Sequence, residues 1–482
     1  MKRNICLIFL LISFSLFSFA GDKGQQPTMY KGKVSCKGQG VAGVVVTDGT
    51  AFCSTDKKGN YSIQSTDGAK FVYISSPAGY SVPLNNSVPQ FYKPLSSLKK
   101  SEKINFELNE IEGGDSKHGF VVWADPQIKA NEEVVLLHEA ADDLKTLLTE
   151  YKNVPFHGLG CGDIVGDNPA LFDSVKKMLA PIEIPFYQSM GNHDMQYNGR
   201  SNKDASAVFE KNFGPAHYSF NRGEIHYVVL NDVFYIGRDY FYIGYLPEEQ
   251  LAWLEKDLSF VDKGKMVVVS MHIPSALDDQ DLKRFSYSNI SQSLANKNAL
   301  YQILASYQAH IITGHMHVNN NVLVASNIFE HNVSSVCGAW WQGNYAEDGT
   351  PKGYAVFEAD GDKLSWHFKS VGKPMDYQFR AYPLGSNPEQ SEFITANVWN
   401  WDPEWKVYWY EDGRRMGEME AYSGLDPETL KIYSNKENLA YKWITAAQTS
   451  HLFRAKPKSA SAKITVEVVD RFGNIYKQDL DY

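Results

Sequence analysis

The pattern of hydrophobic and polar positions changes twice along the chain. From 29 to 110, short apolar runs alternate with Asp-Gly, Lys-Gly and Ala-Gly turns, which is typical of an all-β domain. From Gly119, buried-strand patterns alternate with helical ones, and beyond about Gly353 short strands and hairpin turns return. The pattern therefore predicts three folded units, with a polar linker at 111–118 between the first two.

The same periodicities predict individual elements. A run of β-branched or alternating residues indicates a strand, and apolar residues spaced by three and four indicate a helix. The strands expected before the linker are 30–34, 43–47, 59–63, 71–75 and 104–108. The central region is expected to contain strands at 120–123, 154–160, 184–187, 265–270 and 310–313, a hairpin at 218–231, and helices at 131–151, 170–180, 246–260 and 289–307. The final region is expected to contain strands at 354–358, 364–369, 405–410, 414–418, 463–469 and 475–479.

Composition supports a folded protein of several domains. The chain has 482 residues, of which 43% are hydrophobic and 13% aromatic, so it can build more than one sizeable core. The formal net charge is −9 and no basic stripe is present, which argues against a nucleic-acid polymer as a partner.

The first twenty residues have the pattern of a signal peptide. Lys2 and Arg3 precede an apolar run at 5–17, and Ser18–Phe19–Ala20 provides a small-x-small cleavage site before Gly21. Later runs are too short to span a bilayer, so no transmembrane segment is predicted. We therefore expect a secreted protein, exported to the periplasm or the extracellular space, with an uncleaved anchor as the alternative.

The cysteines argue against thiol redox chemistry, since none has Cys-x-x-Cys spacing. Cys36 and Cys53 fall in one strand-rich segment, where a disulfide is compatible with export. Cys161 and Cys337 lie in apolar surroundings and are expected to be core thiols.

Residues of metal-binding type follow five predicted strands of the central region. Such side chains converge at the carboxyl edge of an α/β sheet. They occur in Asp125–Pro126–Gln127, in Gly162–Asp163 with Asp167, in Gly191–Asn192–His193–Asp194, at His272, and in Gly314–His315–Met316–His317. This mixture of oxygen and nitrogen donors suits Mn, Fe or Zn, and it is too large for one tetrahedral zinc. Two ions bridged by one Asp fit the number of ligands, and such a pair can hold a bridging hydroxide for an in-line phosphoryl displacement.

In this order, the motifs resemble those of the calcineurin-like metallophosphoesterase family, over roughly 119–338. The segment 40–61 resembles the transthyretin-like and carboxypeptidase-regulatory-like β-sandwiches. The whole arrangement is similar to that of secreted bacterial members with β accessory domains at both ends. The resemblance implies an α/β fold with a central four-layer α/β/β/α sandwich at 119–370. A β-sandwich at 29–110 and a C-terminal β accessory domain at 371–482 would flank it.

The resemblance also implies roles for individual residues. Two divalent metal ions are expected, with Mn favoured over Fe or Zn. The first would be held by Asp125, the residue at 127, Asp163 and His317, and the second by Asp163, Asn192, His272 and His315. His193 would be the general acid, with Asp194 orienting it. Asp167 is expected either to support the site or to serve as a helix cap or surface turn.

Gln127 departs from the family pattern, which has His at this position. An amide oxygen is neutral and is a weaker donor to Zn or Fe than imidazole is. We therefore expect a weaker first metal site that favours a harder ion such as Mn or Mg. Loss of catalysis is the alternative reading of this substitution.

The sequence thus predicts an exported, metal-dependent phosphoesterase that hydrolyses a phosphate mono- or diester by attack of a metal-bridging hydroxide. Selectivity is expected from the loops 197–202 and 235–245, and His217 and Arg200 are candidates to line the substrate opening. One alternative is a catalytically weak or silent protein that binds a glycan or a partner through its accessory domains. Its sugar-stacking face would be the tryptophan cluster at 399–409, although the period-2 spacing also suits a sandwich core. Another is a metal-dependent hydrolase of non-phosphate esters.

Overall fold

The computed structural model describes residues 28–65, 68–98, 103–276 and 286–480. The predicted signal peptide at 1–20 lies outside these residues. No helix within the described ranges is long and apolar enough to cross a membrane.

The N-terminal unit is a two-sheet β structure. Its strands are β1 Met29–Cys36, β2 Gln39–Gly40, β3 Val45–Thr47, β4 Phe52–Ser54, β5 Asn60–Gln64, β6 Phe71–Ser75, β7 Tyr80–Ser81, β8 Leu84–Asn85, β9 Val88–Pro89, β10 Tyr92–Pro94 and β11 Phe106–Glu110. One sheet has the order β2-β1-β11-β7, with β5 also paired to β1, and the other has the order β10-β6-β3-β4. Alternate residues of β5 are buried, as expected for a strand with one face on a core.

The central unit alternates strands and helices, as predicted. Its strands are β12 Lys117–Trp123, β13 Phe156–Gly160, β14 Phe186–Gln188, β15 Tyr218–Arg222, β16 Ile225–Val229, β17 Val233–Arg238, β18 Phe241–Gly244, β19 Met266–Ser270, β20 Gln308–Thr313, β21 Asn320–Ala325, β22 Ile328–Asn332, β23 Gly353–Asp360 and β24 Lys363–Ser370. Its helices are α1 Asn131–Leu148, α2 Phe172–Leu179, α3 Asn202–Ala205, α4 Ala207–Phe213, α5 Glu248–Leu258, α6 Tyr287–Gln292 and α7 Lys297–Leu304.

Two sheets pack face to face between helices in this unit. Their orders are β14-β13-β12-β23-β24 and β15-β16-β19-β20-β22-β21. Aromatic rings fill the space between them, including Phe120, Phe220 and Tyr227. The buried stripe of α1 packs with α2 on the outer face of the first sheet, and α5 and α7 pack in the core of the second sheet. The predicted α/β/β/α layering is confirmed.

One predicted helix is wrong. The segment 289–307 forms α6 and α7, separated by an extended stretch. There the Leu294 N–H donates to the Pro274 carbonyl at 2.9 Å, and the Ala295 N–H donates to the Gly244 carbonyl at 2.7 Å. These tertiary hydrogen bonds replace the helical ones that the sequence pattern favours.

The C-terminal unit is a β-sandwich with one helix. Its elements are β25 Arg380–Tyr382, β26 Ile394–Asn397, β27 Lys406–Glu411, β28 Arg414–Glu418, β29 Glu420–Leu425, α8 Pro427–Ser434, β30 Gln448–Ala455, β31 Ile464–Val469 and β32 Ile475–Leu480. The two sheets have the orders β25-β26-β30-β29 and β28-β27-β31-β32. Trp405 and Trp409 belong to the core between them, and Trp399 is also buried. Trp405 and Trp409 are therefore sandwich core and Trp399 belongs to another core cluster, so the sugar-stacking interpretation is wrong for these three rings, while Trp401 is partly buried against the sandwich core.

All four cysteines in the described part of the chain have free thiols. The disulfide considered between Cys36 and Cys53 is therefore not formed. Cys161 and Cys337 are buried, as predicted, and burial raises the pKa of the Cys337 thiol to about 12.

Candidate metal centre

The predicted ligands lie together at the carboxyl ends of the strands of both central sheets. Strands β12, β13 and β14 are parallel in the first sheet, and β16, β19 and β20 are parallel in the second. Loops that leave these ends carry Asp125, Asp163, Asn192, His272, His315 and His317. The expected convergence is therefore present, but it joins the strand ends of two packed sheets and not one edge of a single sheet.

His272 lies at the centre of one ligand group. Its Nε2 atom lies 3.0 Å from Asn192 Oδ1, 3.1 Å from His315 Nδ1 and 3.4 Å from Asp163 Oδ1. Ligand atoms of Asp163, His272 and His315 all lie within 4.8 Å of one another, which is close enough to share one metal ion. This group corresponds to the second predicted metal site.

Three further side chains form a second group on the other side of Asp163. His317 Nε2 lies 3.6 Å from Asp125 Oδ1, and Gln127 Nε2 donates to Asp163 Oδ2 at 2.9 Å. Asp125 Oδ1, Gln127 Oε1 and both ring nitrogens of His317 are buried without a hydrogen-bond partner among the described residues. Buried polar atoms of this kind are rare because each costs desolvation energy. A divalent cation would satisfy an unpaired carboxylate oxygen, an amide oxygen and an imidazole nitrogen together, so these residues fit a metal ion.

The backbone at the ligands is strained. The φ angles of Asp125, Gln127, Asp163, His315 and His317 are 51°, 43°, 50°, 68° and 58°. Non-glycine residues in this left-handed region each cost of order 1 kcal/mol, and they persist where the surrounding structure holds them. Five of the seven predicted ligands share this conformation, which indicates that the loops are held in place to aim the side chains at one point.

Two glycines of the sequence motifs allow the loops to approach closely. A Cβ atom on Gly191 would lie 2.1 Å from both the backbone nitrogen and the Oδ1 of Asp163, and one on Gly314 would lie 2.5 Å from Asp125 Oδ2. Contacts this short do not occur in folded proteins. The glycines of Gly-Asn-His-Asp and Gly-His-x-His are therefore required by packing against the predicted ligands.

Electrostatics in the cluster also favour a cation. Burial raises the pKa of Asp125 to about 8, and the negative charge of Asp163 adds to this effect. Burial opposes ionisation of Asp163 too, but the nearby His272 and His193 outweigh it and lower its pKa. Burial lowers the pKa of His315 to about 3, which keeps this imidazole neutral and available as a ligand. Burial alone would lower the pKa of His272, but the carboxyl groups of Asp163 and Asp125 outweigh it and raise this pKa to about 10, so positive charge is stabilised at the cluster.

His193 is held by a different carboxylate from the one predicted. Its Nδ1 atom lies 2.8 Å from Asp167 Oδ1, and Tyr197 Oη donates to the same Asp167 oxygen at 2.5 Å and to the Asn192 carbonyl at 2.8 Å. His193 Nε2 lies 3.9 Å from Asp163 Oδ2, so the ring joins Asp167 to the ligand cluster. Burial lowers the pKa of His193, but Asp163 and Asp167 outweigh it and raise this pKa to about 9.

Asp194 has no direct contact with the His193 ring. Its carboxylate accepts hydrogen bonds from the backbone N–H groups of Gly191, Ile164 and Val165, at 2.9, 3.2 and 3.0 Å. It therefore ties the Asn192 turn to the Asp163 loop. The expectation that Asp194 orients His193 is corrected, because Asp167 takes that position.

Some residues near the cluster were not predicted. The Asp232 carboxylate accepts from the backbone N–H groups of His272 and Ile273, at 3.2 and 2.9 Å, and so fixes the His272 loop. Because Asp232 follows β16 closely, the rule that found the other strand-end residues could also have found it. The Trp340 ring stacks on the His317 ring at 4.3 Å between centroids. It lies in a long loop without a recognisable pattern.

Other candidates lie elsewhere. His217 lines a cavity of about 510 Å³ between the N-terminal and central units, together with Gly49 and Lys70, so it does not line an opening to the cluster. Arg200 is exposed, and its backbone N–H donates to the Asp204 carboxylate.

Three family models match the chain in order. They describe the N terminal of calcineurin-like phosphoesterase at residues 28–111, calcineurin-like phosphoesterase at 137–319 and the C terminal of calcineurin-like phosphoesterase at 330–476. The second range contains Asp163, Asn192, His272, His315 and His317. Asp125 and Gln127 precede it, so their assignment rests on the geometry described above.

Solved structures that are similar to parts of this chain include several phosphatases. A dimetal phosphatase from Danio rerio is 16% identical, covers 53% of this chain and 97% of its own, and has a TM-score of 0.38. Purple acid phosphatase PPD1 from yellow lupin (Lupinus luteus) is 12% identical, covers 72% of each chain, and has a TM-score of 0.41. A 5′-nucleotidase from Candida albicans is 11% identical, covers 53% of this chain and 52% of its own, and has a TM-score of 0.32.

A search among curated proteins gave no match. The assignment to a family therefore rests on the three family models, which together span most of the chain in the order of its three folded units. The chain belongs to the calcineurin-like phosphoesterase family.

Proposed function

We propose that this protein is an exported phosphoesterase that uses two divalent metal ions to hydrolyse a phosphate mono- or diester. The observation that carries the proposal is the set of buried, unpartnered ligand atoms on Asp125, Gln127 and His317, directly beside Asp163. Family membership supports metal-dependent hydrolysis of a phosphate ester.

The two oxygens of Asp163 face the two ligand groups. Oδ2 accepts from Gln127, while Oδ1 lies 3.4 Å from His272 Nε2. Asp163 would therefore be shared between the two ions. Asp125, Gln127 and His317 would complete the first site, and Asn192, His272 and His315 the second. When bound, the ions would supply positive charge for the phosphate oxygens and lower the pKa of a water molecule.

His193 would donate a proton to the departing oxygen of the ester. Its ring lies between the ligand cluster and Asp167, and its side chain is 31% exposed, so an incoming ester can reach it. Asp167 and Tyr197 fix the orientation of the ring through the hydrogen bonds described above. A general acid placed in this way contributes about 10²- to 10⁴-fold to the rate.

The remaining proposals concern processing, domain limits and the metal. We place the signal peptide at 1–20 because of its charged start, apolar run and small-x-small end, and N-terminal sequencing of exported protein would test the cleavage before Gly21.

The domains would be 29–110, 119–370 and 371–482, since β24 ends at Ser370 and the C-terminal sheets begin with β25. Mn is favoured over Fe and Zn because the Gln127 donor is an amide oxygen.

The decisive experiment is hydrolysis of chromogenic phosphate mono- and diesters by protein loaded with Mn or Zn. His193→Ala is expected to lower kcat by about 10²- to 10⁴-fold while metal content stays unchanged. Asp163→Asn is expected to remove both metal and activity. His138→Ala changes an exposed histidine of α1 and serves as the control. Absence of activity on both ester types with a fully loaded protein would overturn the proposal. Activity on carboxylic esters without inhibition by inorganic phosphate would favour a non-phosphate esterase.

A further inference from the structure

Aromatic rings from two folded units meet beside the ligand cluster. The Trp340 ring stacks on His317, and the rings of Trp340 and Trp443 meet at an angle of 76° with 4.3 Å between their centroids. Tyr441 lies 5.9 Å from Trp443, and Lys129 Nζ lies 4.6 Å from the Tyr441 ring centre. We call Trp340, Tyr441 and Trp443 the aromatic ledge. Trp443 is 56% exposed, so the ledge offers an aromatic surface to solvent. Only the Trp340 ring lies between this surface and the candidate metal ligand His317.

The central part of the ledge is fixed to the ligand loops. Trp340 and Trp341 have φ angles of 48° and 61°, in the left-handed region that bulky residues rarely adopt. Trp341 Nε1 donates to the carbonyl of Pro126 at 3.0 Å, between the candidate ligands Asp125 and Gln127. The strain and this hydrogen bond show that the loop is held against the cluster.

The C-terminal sandwich also holds the same loop. His451 of β30 lies between Asn397 Oδ1 of β26, at 2.7 Å, and Asp348 Oδ2, at 3.1 Å. Asn397 Nδ2 also donates to the Asp348 carbonyl at 3.0 Å. All three residues are buried, so the loop that carries Trp340 is anchored in the sandwich.

Three polar groups beside the ledge already have hydrogen-bond partners within the protein. Gln342 Oε1 accepts from the Ala440 N–H at 2.8 Å, and Lys442 Nζ donates to the Lys436 carbonyl at 2.6 Å. Lys436 Nζ in turn donates to the Ile444 carbonyl. Recognition of a sugar needs polar groups free to bind its hydroxyls, whereas a planar aromatic ring needs only a ring face. The surroundings of the ledge therefore favour a flat aromatic ligand.

We propose that the aromatic ledge stacks against an aromatic ring in the alcohol part of the phosphate ester. The preferred substrates would then be phosphate esters that carry a planar ring, such as an aryl group or a nucleobase, and the C-terminal sandwich would contribute to selectivity through Trp443. This inference rests on the proposed phosphoesterase function, which places the phosphate at the ligand cluster.

The test compares kcat and KM of the Mn-loaded protein for phenyl phosphate, a nucleoside 5′-monophosphate and glycerol phosphate. Trp443→Ala is expected to raise KM about tenfold for the esters whose ring reaches the ledge, with kcat little changed, and to leave glycerol phosphate unaffected. Trp443→Phe should retain most of the wild-type KM. Phe472→Ala removes another exposed aromatic side chain of the C-terminal sandwich and should change none of these values. The two ring-bearing esters together show whether an aryl group or a nucleobase fits better.

Equilibrium binding gives a second measurement that does not depend on turnover. Calorimetry should show that Trp443→Ala raises the Kd of phenylphosphonate about tenfold and leaves that of methylphosphonate unchanged. Equal effects on both phosphonates, or no effect on either, would overturn the inference while leaving the phosphoesterase function intact. Failure of the wild-type protein to hydrolyse any of the three esters and to bind either phosphonate would instead refute the proposed function, and the inference with it.

Discussion

Replacement of His157 by Phe is expected to stabilise the protein and to reduce its sensitivity to acid. His157 lies in β13 between the two central sheets, where its ring stacks on Phe120 at 5.4 Å and meets Tyr227 edge-on at 4.7 Å. Both ring nitrogens are buried without a hydrogen-bond partner among the described residues. Burial lowers the pKa of this imidazole well below 6.5, and the nearby His118 and Arg222 add to the effect.

The magnitude follows from linkage between protonation and folding. Because the folded state binds fewer protons at His157 than the unfolded state does, stability is present above the unfolded pKa and is lost as the pH falls below it. The unfolded pKa is about 6.5, so pH 5.5 lies one unit below it. Lowering the pH from 7.5 to 5.5 therefore reduces the free energy of unfolding by about 1.4 kcal/mol through this one residue. Removal of the unsatisfied ring nitrogens contributes a further gain of about 1–3 kcal/mol at either pH.

Thermal unfolding in the presence of a chelator measures both effects without a contribution from metal loss. For a unit the size of the central domain, about 1.4 kcal/mol corresponds to roughly 3–6 °C. The fall in Tm between pH 7.5 and 5.5 should therefore be about 3–6 °C smaller in His157→Phe than in the wild-type protein. His138→Gln, at an exposed position of α1, should leave this fall unchanged. An equal fall in His157→Phe and wild type would refute the reasoning.

Three further predictions concern the metal centre. Gln127→His should raise occupancy of the first site and shift its preference from Mn towards Zn or Fe; unchanged metal content in protein purified without added metal would contradict this. Gly191→Ala should destabilise the protein by about 1–3 kcal/mol and reduce bound metal, because the new methyl group would overlap Asp163; retention of wild-type metal content and Tm would argue against it. Asp167→Asn should lower kcat about tenfold. Because the carboxylate raises the pKa of the general acid His193, its loss should also move the basic limb of the kcat–pH profile to lower pH. A basic limb that does not move would show that Asp167 has only a structural role.

Much of the fold follows from local patterns. The apolar stripe of α1 and the exposed–buried alternation of β5 are readable in the sequence because each element has one face on a core. The segment 289–307 has a helical pattern as well. Its interruption at Leu294 depends on backbone partners at Gly244 and Pro274, and no local pattern records such distant hydrogen bonds.

The candidate ligands were predictable for a related reason. Parallel strands end at one edge of a sheet, so polar residues after successive strands must meet there. Which carboxylate contacts His193 depends on side-chain directions in two loops, and Asp167 and Asp194 cannot be distinguished from their sequence positions alone. The pairing of Trp340 with Trp443 joins residues about a hundred positions apart in irregular segments, where sequence periodicity carries no information.

The anchoring of the Asp348 loop has a consequence for the order in which the protein is completed during synthesis. Asn397 and His451, which hold this loop, are made after all the candidate ligands, and Trp443 is also made late. A nascent chain that has emerged only as far as β24 carries every candidate ligand but lacks these supports. In such a chain Trp341 can already donate to the Pro126 carbonyl, whereas Asp348, in the same loop, gains its buried partners only after the C-terminal sandwich has left the ribosome and folded.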